Sequence, residues 1–414
     1  MIKQRGDYMK YKNLTLKYAL VNAAFMFMVC ATVGYSYNFL SQSGIADGTV
    51  GILITAVSLC GLIGQTLSGS IIDKSETIDE KKFISMSLIA VMALGVVLAF
   101  VPAGSVLMMI VSVICFTSAS IGMPFLNSMA FIYEKDGQTI NYGLCRGIGS
   151  AAWAVGSSLI GQLWSIMGRT ILPWYVVAFA AICFVLVNLM PTPSAEAEAA
   201  AAASEVTKEE APKDLSYGAF FSKYRKAMIV ALAMILMYFC HMMINTYMAK
   251  VIGNIMGAAA NETGAVESVQ GNALFIAAIV ELPTMFLFSK IIEKISIHKV
   301  MIFASIIWSV KHVLTWLCPN VIVLYMIMVL QMLSYAALVP ALVYFANESV
   351  EAQDRNKSQA IFAATATVGT LLASLIGGQL FQFMSVSAVL FIAVIASCAG
   401  TVLMFIGIKA VESK

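Results

Sequence analysis

The 414 residues are 60% hydrophobic and only 11% charged, under half the roughly 25% charge of soluble proteins. A water-soluble protein of this length could not cover its surface with so few charges, whereas about 20 residues per crossing allows roughly a dozen membrane spans. The net charge of +3 lies in membrane-flanking segments and forms no basic stripe, which argues against nucleic acid as a partner.

Twelve apolar runs follow one another at 16–40, 48–72, 83–101, 104–133, 141–167, 170–190, 226–252, 271–292, 297–318, 320–346, 358–384 and 386–409. Several exceed the minimum for a bilayer, which predicts tilt or extension beyond it. The first 17 residues are polar and basic, and the run behind them has full crossing length. A signal peptide would carry a shorter apolar stretch and a small-residue cleavage site. The chain reads as all-α, multi-pass and uncleaved at its first helix.

Cations set the expected orientation. Lys3, Arg5, Lys10, Lys12 and Lys17 precede the first run. Connections after even-numbered runs hold Lys74, Lys81, Lys82, Lys135, Lys208, Lys213, Lys223, Arg225, Lys226, Lys290, Lys294, Lys299, Arg355 and Lys357. The opposite connections hold one, Arg169. The positive-inside rule then predicts two cytoplasmic termini, in a cytoplasmic (inner) membrane of bacterial type.

One long polar segment, 191–225, is dominated by Ala, Glu and Pro and has no apolar face to bury at its centre. It reads as a cytoplasmic linker between bundles of six helices at 1–190 and 226–414. Phe220 and Phe221 beside Lys223 and Arg225 suggest a short interfacial helix at 215–225. The eight cysteines stand singly in apolar stretches without a C-x-x-C, so packing is expected rather than a metal site or a disulfide framework.

The halves echo each other. Gly69-Ser70-Ile71-Ile72-Asp73-Lys74 follows the second run and Ser289-Lys290-Ile291-Ile292-Glu293-Lys294 the eighth. Ser158-Leu159-Ile160-Gly161-Gln162-Leu163-Trp164 in the fifth recurs as Ser374-Leu375-Ile376-Gly377-Gly378-Gln379-Leu380-Phe381 in the eleventh. Two repeats in one orientation predict a transporter whose solute binds near the midplane between them. Gly143, Gly147, Gly149, Gly156 and Gly161 would let helices approach closely.

Four segments carry a resemblance to a known family. Val50 through Leu59, on through Gln65 to Gly69–Lys74, resembles the second span and following loop of the lactose permease. Arg146-Gly147-Ile148-Gly149-Ser150-Ala151-Ala152-Trp153-Ala154 is similar to its fifth-span motif. Glu281-Leu282 and Ser309-Val310-Lys311 fall where its functional residues lie, with Lys311 for the family's Arg. The chain thus resembles the lactose-permease-like group of the major facilitator superfamily, which includes oligosaccharide, nucleoside and aryl-acid proton symporters. The resemblance implies twelve helices as two six-helix repeats and makes Arg146 and Trp153 the sugar-binding couple. It also has departures. Ser128 or Met129 replaces a span-four acid, Gln331 and Ser334 a span-ten His and Glu, and Met242 and Asn245 two span-seven Asp residues.

Charges inside the membrane cost a few kcal/mol each on insertion scales. Glu281 lies about ten residues, or about 15 Å, inside the eighth span, and Lys311 reaches a similar depth in the ninth. They read either as an ion pair locking two helices or as a titratable site, Glu281, whose proton affinity depends on Lys311. Arg146 reads as a snorkelling anchor or as a donor fork for hydroxyls or a carboxylate. Trp153, seven residues on, shares its face and either packs or stacks on a pyranose ring. His241 and Asn245 share a face of the seventh span, His241 as a buried core residue or a proton carrier, with His312 beside Lys311 a weaker candidate; Lys250 reads as an interfacial anchor. Asn127, Asn245, Gln331 and Tyr335 are candidate cavity-lining groups, joined by Asn22, Tyr35, Tyr37, Asn38 and Ser128. Gly69, Asp73 and Lys74 read as a gating loop, with a solvated turn as the alternative.

Gly147-x-Gly149-x-x-Ala152 matches a dinucleotide fingerprint only formally, since no strand precedes it. The chain has no G-x-x-x-x-G-K-[ST], so a secondary, gradient-driven mechanism without cofactor follows. The expected function is alternating-access proton symport of a small polar solute, most simply a sugar or glycoside, by a monomer in a lipid bilayer. Nucleoside or organic-anion transport and uncoupled facilitation are the alternatives. A membrane sensor would need a folded output domain, and an enzyme a nucleophile, metal set or acid pair; the sequence offers none of these.

Overall fold

The computed structural model describes residues 13–75, 78–135, 137–192 and 216–413, and of Asp73 and Lys74 the backbone alone. Among these residues every regular element is helical. The first span is Leu14–Gly34, continued by Ser36–Ser41. The second to fourth are Asp47–Lys74, Glu80–Phe100 and Val106–Lys135. Tyr142–Met167 and Ile171–Asn188, the fifth and sixth, are joined by a single 3-10 turn at Gly168–Thr170. The seventh is Arg225–Thr246, continued by Met248–Met256, and the eighth and ninth are Ala265–Ile292 and Ile297–Trp316. The tenth is split into Val321–Val329 and Tyr335–Glu348, and Arg355–Phe383 and Val386–Glu412 complete the set.

Eleven apolar runs are long enough to cross a membrane, and one of them, Tyr142–Asn188, contains two helices. The twelve expected spans are therefore present among the described residues. Short polar residues start several of them. Asp79 accepts from Lys82 N at 2.7 Å, Asn141 from Leu144 N at 3.0 Å and Asn320 from Val323 N at 3.0 Å. Each satisfies a backbone donor that a helix start leaves open. Gly104, at φ +70°, makes the tight turn between the third and fourth spans.

The chain forms two compact units, one of Met1–Gly44 with Ala56–Glu210, the other of Ile45–Thr55 with Ala211–Lys414. Residues 193–215 of the expected linker lie outside the described residues. Beyond them the helix Tyr217–Lys223 forms where the aromatic and basic pattern suggests one.

In the first unit the first span packs against the fifth and sixth. A Cβ on Gly156 would fall 2.9 Å from Cys30 Sγ and from Phe27, so this helix pair needs the glycine. In the second unit the seventh span lies against the eleventh and twelfth. Gly369 meets Tyr238 and Gly400 meets Met237 there, where an added Cβ would stand 2.5 and 2.7 Å from side-chain carbons.

The internal repeat has a structural counterpart. The first span breaks at Tyr35 and the seventh at Tyr247, with φ near −124° and −104°. Each phenol donates to a main-chain carbonyl in its own unit, Tyr35 to Ser157 at 2.7 Å and Tyr247 to Ser374 at 2.6 Å. Ser374 opens the second echoed segment, and Ser157 immediately precedes the first. The eight cysteines are all free, five of them buried as packing residues and Cys60, Cys318 and Cys398 more open.

Candidate functional site

The charged centre of the second unit is built by the eighth, ninth and tenth spans. Lys311 is 5% exposed, one helical turn past Trp308. Its ammonium donates to Oε1 of Gln331. The Gln331 amide in turn donates from Nε2 to Glu281 Oε1 at 2.8 Å. Glu281 and Lys311 are therefore joined through a neutral amide, not as a direct ion pair. Gln331 can do this because the tenth span is interrupted: Leu330–Met332 is a 3-10 turn, and Ser334 leaves helical geometry at φ −106°, ψ −92°. The carbonyl of Leu330 collects the N–H of Leu333 at 3.1 Å and both the N–H and hydroxyl of Ser334 at 3.1 and 2.8 Å. Backbone groups freed by the break are thus satisfied locally, as a membrane interior requires.

An aromatic cluster flanks this chain of groups. Trp308 is fully buried, edge-on to Tyr238 at 5.4 Å and to Tyr335 at 5.6 Å between ring centres. Tyr335 stacks on His241 at 5.3 Å. The indole N–H of Trp308 donates to Nδ1 of His241 at 3.3 Å. Asn245 lies 2.9 Å from His241 Nε2 and also donates to the His241 carbonyl at 3.0 Å. The shared face read for His241 and Asn245 is real.

Beyond the aromatics runs a hydroxyl seam between the ninth and twelfth spans. Ser309 contacts Ser397 Oγ at 2.9 Å and Thr401 Oγ1 at 2.7 Å, and Thr401 donates to the Ser305 carbonyl at 3.0 Å. His312 Nδ1 lies 2.8 Å from Ser397 Oγ, while its Nε2 is buried without a hydrogen-bond partner among the described residues.

These features suit a membrane carrier, and comparison with known proteins decides the family. Residues 18–393 match the model of the MFS_1 like family. The chain belongs to that family. The transporter has the shape of several solved structures. The nucleoside transporter NupG superposes with a TM-score of 0.76 at 14% identity, over 97% of this chain and 100% of that one. A bacterial homolog of the human lysosomal transporter Spinster gives 0.69 at 12%, over 96% and 97%. The peptide transporter POT in complex with sulfate gives 0.66 at 13%, over 96% and 94%. At these identities the likeness is one of fold. No curated protein matches the sequence. Family membership makes the chain a secondary transporter of the facilitator type, not an enzyme.

The transporter's remaining candidates lie in the first unit. Arg146 is exposed, and its guanidinium has no hydrogen-bond or ion-pair partner among the described residues. Trp153 is half-buried on the same helix, two turns on. Asn127, on the fourth span, holds a buried Oδ1 without a partner among the described residues. Gly69 stands in open space, with nothing within 4 Å of an added Cβ. The side chains of Asp73 and Lys74 lie outside the described residues. Lys250, read as an interfacial anchor, pairs with Asp47 at 2.5 Å within the second unit.

Three features escaped the sequence reading. Gln331 was one polar group among several, and nothing in its neighbours marks the helix break. Glu267 is 2% exposed although it precedes the span start expected at 271. The seam did leave a signal: Ser305, Ser309 and His312 recur at spacings of four and three, and Ser397 and Thr401 at four, which puts each set on one helix face.

Proposed function

We propose that the protein is a proton symporter of a small polar solute, with Glu281 as the group that takes the proton and Lys311 as its counter-charge. The chain Glu281–Gln331–Lys311 is the observation that carries this reading. With Glu281 ionised the three groups sum to zero charge; with it protonated they sum to +1. A carrier that changes charge by one on binding a proton, at a partly buried site inside a span, has the elements for coupling. The proton gradient is then the driving force and no cofactor is required. His241, in ring contact with Trp308 and Tyr335, borders the same site.

A Glu281–Gln331–Lys311 chain that is neutral with Glu281 ionised favours an uncharged solute. Arg146 offers a fork of donors and Trp153 an apolar face, which together suit a sugar or glycoside, with Asn127 as a further polar contact in the same unit. A nucleoside is the second reading, favoured by the shape shared with the nucleoside transporter NupG. The cation distribution supports cytoplasmic termini in an inner membrane. Gly69, Asp73 and Lys74 fit a gating loop, and two units suit alternating access by a monomer.

The test is counterflow in proteoliposomes offered a labelled disaccharide, a nucleoside and an aryl carboxylate in turn. One neutral class should exchange, and Trp153→Ala should abolish that exchange at normal protein yield. Exchange of the carboxylate alone would reject the neutral-solute reading. Unchanged exchange in Trp153→Ala would reject the fifth-span site.

A further inference from the structure

The Gln331 amide is directional, and its two neighbours fix its direction. A carboxylate accepts hydrogen bonds only, and an ammonium donates only. Gln331 can serve both at once in one orientation alone, Nε2 toward Glu281 and Oε1 toward Lys311, and this is the orientation present. An amide does not titrate, so Gln331 stores no proton itself. It does respond to one. When Glu281 takes a proton from water, one carboxylate oxygen becomes an O–H donor and the charge that strengthens the Nε2 contact is gone.

The break in the tenth span gives this response somewhere to go. Gln331 belongs to a short 3-10 turn, not to a continuous helix, and the turn packs on both the eighth and ninth spans. Discontinuous helices of this kind are where transporters place their ion sites. The other titratable groups around the site are Cys240 and His241 on the seventh span, His312 on the ninth and Tyr335 on the tenth. Among the described residues none of these is hydrogen-bonded to Glu281, so beside the direct attraction between the two charges the hydrogen-bonded link to Lys311 runs through Gln331.

We propose that Gln331 is the positioning residue that ties proton uptake at Glu281 to the placement of Lys311. This rests on the reading of Glu281 as the proton site. The amide stands between the ammonium and the carboxylate, and it holds the carboxyl most strongly while Glu281 is ionised, since a protonated carboxyl leaves only a neutral carbonyl oxygen to accept from Nε2. Protonation therefore weakens the hold on the turn at 330–332 and, through Oε1, on the placement of Lys311.

The test needs no solute, since the probe is the proton. Purified full-length protein in liposomes, with its glutamines isotopically labelled, is taken from alkaline to acid buffer while infrared difference spectra are recorded. The carboxyl band that disappears in Glu281→Gln should rise with acidification. An amide band that disappears in Gln331→Met should shift in the same pH step. Gln331→His, whose ring also joins one donor to one acceptor, should restore a coupled change, whereas Gln331→Glu, an acceptor only, should not. A Glu281 band that titrates while the Gln331 band stays still would overturn the proposal and leave the proton site standing. Absence of any Glu281 band change would remove both.

Discussion

Trp308 donates its indole N–H to Nδ1 of His241 at 3.3 Å, inside a cluster where Trp308 is fully buried and His241 nearly so. Indole only donates, so Nδ1 must be the acceptor of that bond. An imidazolium would have to break the contact. His241→Gln keeps an acceptor and is expected to hold accumulation within about threefold of wild type. His241→Leu leaves a buried donor unpaired and should cost about 1–3 kcal/mol of stability. Thermal unfolding of the purified variants beside their uptake rates checks both.

Close helix approach in the second unit depends on Gly369, where a Cβ would stand 2.5 Å from Tyr238 Cβ and 3.1 Å from the Phe239 backbone. The backbone contact cannot relax by a side-chain rotation. Gly369→Ala should therefore destabilise the protein by about 1–3 kcal/mol, read as a lower unfolding temperature. Gly69→Ala meets nothing within 4 Å and should fold normally. A transport defect in Gly69→Ala with unaltered unfolding would then favour gating over structure.

Arg146 and Trp153 lie seven residues apart on the fifth span, both with surface open in their unit. Arg146→Lys keeps the charge and loses the planar fork. For a hydroxylated solute it should weaken apparent affinity about tenfold or more, since the fork's paired bonds go. For a carboxylate solute it should retain most of the affinity. Binding to the detergent-solubilised protein separates the two without a transport assay.

Where the polypeptide enters the second unit, a polar latch holds the helix Tyr217–Lys223. Asp354, ahead of the eleventh span, accepts from Tyr224 at 2.5 Å and Lys223 at 3.1 Å, and Lys223 also pairs with Glu351 at 2.9 Å. Burial alone pushes the Asp354 carboxyl up, but these hydrogen bonds outweigh it and hold it below the usual carboxylate range. Tyr224 and Glu351 hold the Lys223 ammonium above the usual lysine range. A depressed acid loses its contribution only as pH falls through its folded value, and a raised lysine only as pH rises through its own. The latch should thus be unchanged between about pH 5 and pH 9. A spin label on Ser222→Cys should show constant mobility over that range and a clear gain in Asp354→Asn.

The spans were legible because a bilayer demands long apolar runs, and Lys and Arg mark their ends. Two kinds of feature were not. Tyr35 and Tyr247 interrupt helices inside unbroken apolar sequence, and hydropathy carries no record of a break satisfied by a distant carbonyl. The expected runs 16–40 and 226–252 accordingly each contain two helices. The depth of Glu281 and Lys311 could be read by counting residues, which brought them to one level. Their connection could not, because Gln331 reaches them from a third span that bends only in three dimensions. Arg146 and Trp153 were legible as seven residues apart on one helix, and both lie on Tyr142–Met167.

The most direct test of the account is the external pH of lightly buffered, de-energised cells expressing the protein. Disaccharides, monosaccharides, nucleosides and aryl carboxylates are added one at a time, with cells carrying Glu281→Gln as control. The account predicts transient alkalinisation with one neutral class, abolished in the Glu281→Gln cells. Entry of labelled solute without any pH change, or alkalinisation that persists in Glu281→Gln, would contradict it.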